Sequence, residues 1–267
     1  MKRILAALLT VVMLLGCGVM FASCAEETVV IGYTIYKPMN YTDENGELVG
    51  FDTELAIAVF KALGYKEKNI RFKVIEWDNK YTELDGGNID CIWNGFTANS
   101  KDDDGIARAD KVDFSYNYME NRQVVVIKKG SGITKAEDLS GKKGAAEKGS
   151  AGEEYAAGFE GATISGVTKQ TDALMKVLSG DIDFAVLDAQ LAKSYCGNGD
   201  YKDLEIVDAL SSDVEYYAIG FKKGSELTAK VNEQLEKLAK DGTIAKLAEK
   251  YGVATTAITD FSDQKKK

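Results

Sequence analysis

Two stretches of the chain repeat one pattern: "LDGGNIDCIWNG" at Leu84 to Gly95 and "LSGDIDFAVLDA" at Leu178 to Ala189. Each contains a helix end, a glycine stop, an Ile-Asp pair, an apolar strand and a polar exit. Such a repeat predicts two α/β units of similar design. Ligands of open α/β sheets bind beyond the carboxyl ends of the strands, so we expect the exits after Trp93 and at Asp188 to face one cleft.

The segments around the first repeat alternate between predicted strands and predicted helices. β-Forming residues at Thr28 to Tyr36 predict an opening strand, and Asn45-Gly46 predicts a hairpin turn. The stretch "GFDTELAIAVFKALG" predicts a helix with Asp52 as its N-cap and Gly64 as its stop. Strand, helix and strand are then predicted at Ile70 to Ile75, Lys80 to Leu84 and Ile89 to Trp93. This alternation predicts an α/β fold with mostly parallel sheets covered by helices.

Two β-rich segments, Met119 to Val125 and Val214 to Phe221, are predicted to cross between the two α/β units. The first unit is therefore expected to be discontinuous, because the chain leaves it at one crossing and returns at the other. The expected bounds are residues 28–120 plus 216–262 for the first unit, lobe 1, and residues 121–215 for the second, lobe 2.

The composition excludes several classes of function. The chain has 267 residues, of which 45% are apolar, enough to bury one large or two modest cores. Its formal charge of -9, with Lys265 to Lys267 at the tail as the only basic run, argues against a nucleic-acid partner. It contains no histidine, which removes the commonest general base, the Ser-His and Cys-His nucleophile pairs and most zinc sites. We therefore expect no catalytic residues, no metal and no cofactor, and a protein that is not an enzyme.

The N-terminus has the layout of an export signal, with two basic residues before an apolar run from Ile4 to Ala22. A transmembrane helix is the alternative, because the run would just span a bilayer. The ending "FASC" resembles the lipobox of bacterial lipoproteins, in which the cysteine takes the lipid. A rival, "LLGC" at Cys17, is followed by more apolar residues, so Cys24 is preferred. We expect residues 1–24 to be a lipoprotein signal peptide and the lipid on Cys24 to hold the protein on a membrane surface.

Two short motifs are similar to ligand sites without the full pattern of one. "KGSAGEE", from Lys148, lacks the Gly-Lys-Ser/Thr ending of a nucleotide P-loop, although backbone amides before a helix suit an anion such as a carboxylate. A plain turn capped by Ser150 is the alternative. "DDDG", Asp102 to Gly105, lacks the alternating spacing and distal glutamate of an EF-hand. A solvated acidic loop is therefore expected there, not a calcium site.

Aromatic and charged residues together predict a pocket for a zwitterion. Three aromatic residues lie at predicted strand ends near the cleft: Tyr33, Tyr36 and Trp77. The carboxylate of Asp188, the amides at Ser150 and the guanidinium of Arg108 can hold the two ends of such a ligand through charge-assisted bonds. The aromatic rings can stack on its middle.

Six blocks carry a resemblance that spans nearly all of Val29 to Gly252: "LVGFDTELAIAV", "GNIDCIWNGFT", "VDFSYNY", "DLSGKKGAAEKGSAGEE", "LSGDIDFAVLDAQLA" and "EYYAIGFKKGSELTAKVNEQLEKLAKDGTIAKLAEKYG". In this order they resemble the extracytoplasmic solute-binding proteins of ABC importers for polar amino acids, which include glutamine-, histidine- and lysine/arginine/ornithine-binding proteins. The resemblance implies a periplasmic-binding-protein (Venus-flytrap) fold, with two Rossmann-like lobes joined by two crossing strands. It also implies a monomer outside the cytoplasm that captures one amino acid and delivers it to a membrane permease.

The same resemblance implies how the ligand's backbone and side chain are held. Tyr36 and Trp77 match the two aromatic residues that sandwich the side chain of the ligand. Gly95 is expected to offer its carbonyl to the α-ammonium, and Thr97 its amide and hydroxyl to the ligand. A bulge or turn with a buried threonine is the alternative for this pair. Asp188 matches the acid that pairs with the α-ammonium.

The carboxylate end of the ligand is assigned in the same way. Ser150 and Ala151 match the anion loop of the family. Arg108 matches the family's arginine by its spacing to the following "DFS", although the extra residues "SKDDDGIA" precede it here. Arg122 is kept as the substitute.

Side-chain selectivity and a second function remain open. Tyr33 and Glu147 lie where members of the family place selective groups, and a surface carboxylate near Lys148 is the alternative for Glu147. The ligand is not chosen among glutamine, cystine, arginine and lysine. A few relatives with this fold resemble dehydratases of cyclohexadienyl acids, in which a pocket carboxylate protonates a leaving hydroxyl. Glu147 or Asp188 would have that role in the alternative function.

Overall fold

The structure is a computed structural model that describes residues 27–102 and 104–264. The predicted signal peptide, residues 1–24, and the predicted lipid attachment at Cys24 lie outside the described residues. In chain order the described strands are β1 (Val29–Tyr33), β2 (Tyr41–Thr42), β3 (Leu48–Val49), β4 (Ile70–Val74), β5 (Cys91–Ile92), β6 (Asp113–Phe114), β7 (Met119–Asn121), β8 (Gln123–Lys128), β9 (Lys143–Glu147), β10 (Thr163–Val167), β11 (Phe184–Asp188), β12 (Leu204–Ser211), β13 (Glu215–Tyr217) and β14 (Gly220–Phe221). The described α-helices are α1 (Phe51–Ala62), α2 (Lys80–Asp85), α3 (Arg108–Lys111), α4 (Ala151–Ala157), α5 (Gln170–Ser179), α6 (Ala189–Tyr195), α7 (Leu227–Lys240) and α8 (Thr243–Lys250).

Two five-stranded sheets share one design. The first has the order β4-β1-β5-β14-β6, in which β1 runs parallel to β4 and β5, and β14 runs antiparallel to its neighbours. The second has the order β10-β9-β11-β8-β12, with β9 parallel to β10 and β11, and β8 antiparallel to its neighbours. The two repeated sequence stretches form β5 and β11, the central strand of each sheet. The predicted α/β class is confirmed.

The two sheets are connected through a separate two-stranded pair. β7 and β13 run antiparallel, with Glu215 opposite Asn121 and Tyr217 opposite Met119. In the chain, β7 lies between a strand of the first sheet and a strand of the second, and β13 lies on the return path. Both β-rich segments predicted to cross between the lobes therefore do so.

Helix α1 begins two residues earlier than its sequence suggests. Gly50 is its N-cap with φ 131°, and a Cβ built there would lie 2.0 Å from the carbonyl oxygen of Met39. Only glycine fits both conditions. The prediction of Asp52 as N-cap is wrong, because Asp52 lies in the first turn with its carboxylate turned into the core. There it accepts hydrogen bonds from the amide of Gly95 and the hydroxyl of Tyr118, both at 2.9 Å.

Two further features of the described residues are the character of their helices and the state of their cysteines. Across 27–102 and 104–264, no helix has the length and apolar character needed to cross a bilayer. Cys91 is a buried free thiol in β5, and Cys196 is a half-buried free thiol after α6.

Candidate ligand-binding site

A narrow cavity, with about 10 Å³ open to a water-sized sphere, lies where the carboxyl ends of the parallel strands of both sheets meet. Its walls are formed by Tyr36, Trp77, Asn94, Gly95, Thr97, Arg108, Glu147, Ser150, Ala151, Gln170 and Asp188. The residues that line the cavity lie at or just after the carboxyl ends of six strands: β1, β4 and β5 in the first sheet, and β9, β10 and β11 in the second. The expected cleft between the two lobes is therefore present in the structure.

Nine of the ten residues predicted to bind the ligand line this cavity. Tyr33 does not, because its ring packs edge-on against Phe72 at a centroid distance of 6.1 Å. Arg122, the substitute for Arg108, is exposed, and its guanidinium donates to the carbonyl of Ser212 at 2.6 Å. Arg108 is therefore the arginine that the fold brings to the cavity.

Gly95 is required by the packing beneath the cavity. Its φ of 59° lies in the left-handed region, and a Cβ built there would lie 2.8 Å from Tyr36 Cε1 and 2.9 Å from Tyr217 Cε2. Any larger residue would displace these rings. The glycine thus allows two buried tyrosines to pack against the strand exit.

The guanidinium of Arg108 is fully buried at the cavity wall. Its Nε donates to Asp102 Oδ1 at 3.1 Å, Nη1 to the carbonyl of Thr97 at 3.3 Å and Nη2 to the carbonyl of Gly149 at 3.0 Å. A guanidinium carries five N–H groups. These three contacts therefore leave two N–H groups that can bind the carboxylate of a ligand.

Asp102 belongs to the "DDDG" motif, and the prediction of a solvated loop is wrong for this residue. Its side chain is only 9% exposed, and it pairs with Arg108 and with Lys111, the latter at 2.9 Å. Burial alone would raise the pKa of Asp102, but the nearby hydroxyl of Tyr81, the contact with Lys111 and the charge of Arg108 lower it overall. Asp104 is 49% exposed and pairs with Lys111 at 2.7 Å. The extra residues before Arg108 therefore supply a buried counter-ion for it.

Lys80 is a buried cation beside the cavity that the sequence analysis did not identify. Its Nζ donates to the carbonyl of Gly149 at 3.0 Å and lies 5.2 Å from the ring centre of Trp77. Burial, together with the nearby charge of Arg108, lowers the pKa of Lys80 to about 8. Lys80 and Arg108 belong to the first lobe and Gly149 to the second, so one carbonyl connects the lobes through two cationic donors.

Asp188 is surrounded by neutral hydrogen-bond donors. Its Oδ1 accepts from Asn121 Nδ2 at 2.8 Å, Gln123 Nε2 at 2.7 Å and the hydroxyl of Tyr217 at 2.8 Å. Its Oδ2 accepts from Gln170 Nε2. Burial raises the pKa of Asp188, and these bonds oppose that rise. The sequence analysis did not identify these donors. A usable signal for them is Gln123, a polar residue that opens the apolar strand β8 and lies opposite Asp188.

Glu147 ends β9 with its side chain inside the cavity. It is only 4% exposed, so the alternative of a surface carboxylate is wrong. Burial, followed by the nearby charge of Asp188, raises the pKa of Glu147 to about 8. A pKa near 8 favours the protonated form of Glu147 at neutral pH, although the charge of Lys80 opposes the rise.

The loop after Glu147 forms the capped turn that the sequence allowed. Ser150 Oγ accepts from the amide of Glu153 at 3.1 Å and so caps helix α4. The amide of Ser150 donates to the carbonyl of Glu147 at 3.2 Å. Ser150 and Ala151 both line the cavity, so capping does not remove them from it.

Residues 29–254 match the family described as bacterial extracellular solute-binding proteins, family 3. This chain belongs to that family. The arginine-binding extracellular protein ArtP of Bacillus subtilis is 31% identical over 220 residues, which cover 81% of this chain and 82% of ArtP.

Two solved structures of similar proteins share the fold. The arginine-, lysine-, histidine-binding protein ArtJ of Geobacillus stearothermophilus has a TM-score of 0.75 at 31% identity, covering 84% of this chain and 95% of ArtJ. The ancestral amino acid-binding protein AncCDT-1, a precursor of cyclohexadienyl dehydratase, has a TM-score of 0.74 at 32% identity over 84% of this chain and 95% of its own. The family expected from the six sequence blocks and its two-lobed fold are confirmed.

Proposed function

We infer that this family 3 protein is the amino-acid-binding component of an ABC importer, which captures a free amino acid between its two lobes and delivers it to a membrane permease. One observation carries the proposal: Arg108, which has two N–H groups left to donate, and the carboxylate Asp188 line the same cavity from different lobes. Arg108 binds the α-carboxylate of the ligand, and Asp188 binds its α-ammonium. A molecule with both charges a few ångströms apart is the ligand that this arrangement fits.

The remaining cavity residues hold the rest of the ligand. Tyr36 and Trp77 sandwich its side chain. The carbonyl of Gly95 accepts from the α-ammonium, and Thr97 binds the ligand through its amide and hydroxyl. The loop at Ser150 and Ala151 completes the binding of the α-carboxylate.

Binding and lobe closure are coupled because the charged partners lie on different lobes. An unpaired charge is costly to bury, so the closed form is favoured when the ligand supplies both partners. The ligand thereby shifts an open-closed equilibrium that a permease can detect. The proposed bounds are residues 28–120 plus 216–262 for lobe 1 and 121–215 for lobe 2, because the strands of each sheet fall within them.

A thermal-shift screen of the twenty amino acids plus cystine and ornithine tests the proposal directly. A ligand that binds only the folded protein raises its melting temperature. We expect one amino acid, or one chemical class of amino acids, to raise the melting temperature in a concentration-dependent manner. If none does so, and calorimetry with the same compounds shows no heat of binding, the proposal is wrong.

Glu147 points to the class of side chain. Its buried carboxyl group faces the cavity beside Trp77, so it favours a ligand whose side chain is cationic or donates hydrogen bonds. The similar proteins ArtP and ArtJ bind arginine, which agrees with this preference. We expect arginine or lysine to give a larger thermal shift than leucine.

A dehydratase is the second candidate function, since Glu147 is protonated at neutral pH and could act as a general acid. The similarity to AncCDT-1, a precursor of such an enzyme, adds to this candidate. Turnover of prephenate by the purified protein would establish it. Amino acid binding without turnover of prephenate would exclude the dehydratase and support the importer function.

We also propose that the protein works outside the cytoplasm as a monomer, held to the membrane by a lipid on Cys24. The sequence "FASC" supports this attachment. In the native host, Cys24→Ala is expected to move the protein from the membrane fraction to the soluble fraction. Cys17→Ala is the matched control and is expected to stay with the membrane. The reverse result would favour Cys17.

A further inference from the structure

Asp188 and Glu215 are two buried carboxylates that share the same hydrogen-bond donors. Asn121 Nδ2 donates to Asp188 Oδ1 at 2.8 Å and also to Glu215 Oε1. Gln123 Nε2 donates to the same two oxygens, at 2.7 Å and 2.8 Å. One oxygen of each carboxylate is therefore joined to the other through two amide groups. Glu215 is on β13, one of the crossing strands, opposite Asn121 on β7.

The pair is surrounded mainly by neutral or acidic groups. The hydroxyl of Tyr217 donates to Asp188, and it is 2.7 Å from the hydroxyl of Tyr36. The two cations near the cavity, Arg108 and Lys80, pair with Asp102. The titratable and charged groups that face the pair, taken over all the described elements around it, are Tyr36, Arg108, Glu147 and Tyr217.

Two carboxylates at one buried site resist ionising together. Each negative charge raises the free-energy cost of ionising the other carboxyl group, and neutral amides offset only part of that cost. Burial, followed by the charge of Asp188, raises the pKa of Glu215 to about 7, although Asn121, Gln123 and Arg108 oppose the rise. Burial likewise raises the pKa of Asp188.

We propose that Asp188 and Glu215 together hold one proton in the ligand-free protein, and that the α-ammonium of the bound amino acid displaces it. On binding, the O–H bond of the shared carboxylic acid breaks and the proton passes to the buffer. The ammonium then supplies the positive charge beside both carboxylates. Glu215 does not line the cavity and acts through Asp188, so it is a positioning residue. The inference rests on the proposed binding of an amino acid.

Calorimetry in two buffers of different ionisation enthalpy measures the protons released on binding. It is performed near pH 7 with whichever of L-arginine, L-lysine, L-histidine, L-glutamine and L-cystine binds. We expect release approaching about one proton, and an affinity that rises with pH by up to about tenfold per pH unit. In Glu215→Gln the release from the pair is expected to disappear, because Asp188 without Glu215 beside it is ionised before the ligand arrives.

Two further variants locate the proton. Glu120→Gln changes an exposed carboxylate on the same strand pair and is expected to release as many protons as the native chain. Glu147→Gln is also measured, because Glu147 titrates in the same range and a cationic side chain of the ligand would release its proton too; the part of the release that Glu215→Gln abolishes is expected to remain. If the native protein binds without releasing a proton, or if Glu147→Gln rather than Glu215→Gln abolishes the release, the inference is wrong while amino acid binding stands. If nothing binds, the proposed function itself is wrong.

An infrared measurement on the native protein covers the case in which Glu215→Gln does not fold. Addition of the binding amino acid near neutral pH is expected to remove the C=O stretch of a protonated carboxyl group from the difference spectrum. A spectrum in which no such band is lost would overturn the inference.

Discussion

Asp188 is the residue whose loss should affect ligand binding most. Its oxygens already bind neutral donors, so the ammonium of the ligand is the positive partner it lacks. In Asp188→Ala the ammonium would be buried without a counter-charge, which costs about 3–5 kcal/mol when one partner of a buried pair is removed. We expect calorimetry to show affinity lower by at least about a hundredfold.

Asp208→Ala is the matched control for Asp188→Ala. Asp208 is an exposed aspartate of the same lobe, on β12, so its removal changes the net charge equally without touching the cavity. Its affinity should equal that of the native chain. Binding that is nearly unchanged in Asp188→Ala would refute the assignment of Asp188 to the ammonium.

Alanine substitutions at Gly95 and Gly46 distinguish the cost of backbone strain from the cost of displacing neighbouring side chains. Both have positive φ, 59° and 84°, but a Cβ at Gly46 meets nothing within 4 Å, whereas one at Gly95 meets the rings of Tyr36 and Tyr217. We expect Gly46→Ala to cost about 1–2 kcal/mol in free energy of unfolding from the left-handed backbone alone. Gly95→Ala should cost roughly 1–3 kcal/mol more, because the rings must move. Guanidinium denaturation measures both, and equal losses would contradict the packing argument.

At the scale of elements, the segment before helix α3 supplies the counter-ion of the ligand-binding arginine. Asp102 is buried between Arg108 and Lys111, with Lys80 at 4.0 Å. Asp102→Asn keeps the shape but removes the charge, so the guanidinium loses the partner that orients it. We expect a loss of about 3–5 kcal/mol in free energy of unfolding, as for a broken buried ion pair, and weaker ligand binding.

Asp104→Asn is the control for Asp102→Asn. Asp104 pairs with the same Lys111 but is half-exposed, so its ion pair is screened by solvent and contributes little to stability. Urea denaturation and calorimetry on both variants compare the two positions. Equal effects would show that Asp102 has no special role in holding Arg108.

The elements that reach the cavity could be predicted, because strand ends and glycine stops are local signals. The repeat that forms β5 and β11 located Gly95 and Asp188 at equivalent exits. The partners of these residues could not be predicted in the same way. Asp52 bonds the amide of Gly95 across 43 positions, and Glu215 shares donors with Asp188 across the crossing strands. Such contacts depend on how distant segments pack, which no local pattern records.

Tyr33 shows the limit of reading a strand end from sequence alone. It is the last residue of β1, and its ring packs against Phe72 on the neighbouring strand β4. Tyr36, three positions later, has left the strand and reaches the cavity. Alternation along a strand fixes which face a side chain takes, but the point where the strand ends decides which residue turns into the cleft.

At the scale of the whole molecule, the two lobes meet through polar contacts as well as the cavity. Lys80 and Arg108 donate to Gly149, and the amide of Lys101 donates to Glu154 at 3.2 Å. Such contacts favour, without a ligand, the arrangement of the lobes that the structure has. The carboxyl groups that closure buries oppose it when they are ionised. The balance between the lobes therefore depends on pH.

The free energy of unfolding of the ligand-free protein should fall as pH rises from about 5 to 8. Burial raises the pKa of Asp52 and Glu215 to about 7 and that of Glu147 to about 8, well above ordinary carboxyl values. Between the unfolded and folded pKa values the native state binds more protons than the unfolded state. Each such group therefore lowers the free energy of unfolding of the protein as pH rises through this window. Asp102, whose pKa is lowered, acts only at more acidic pH.

The size of this fall follows from the number of groups that titrate. One group with a raised pKa contributes up to about 1.4 kcal/mol per pH unit within its window, so three groups predict a loss of several kcal/mol. Urea denaturation at pH 5, 6.5 and 8 measures it. Asp52→Asn removes one group that the ligand does not touch, so its slope should be shallower than that of the native chain. A stability that is flat or rises over this range would mean that these carboxyl groups are ionised in the folded protein, and the proton shared by Asp188 and Glu215 would then be excluded as well.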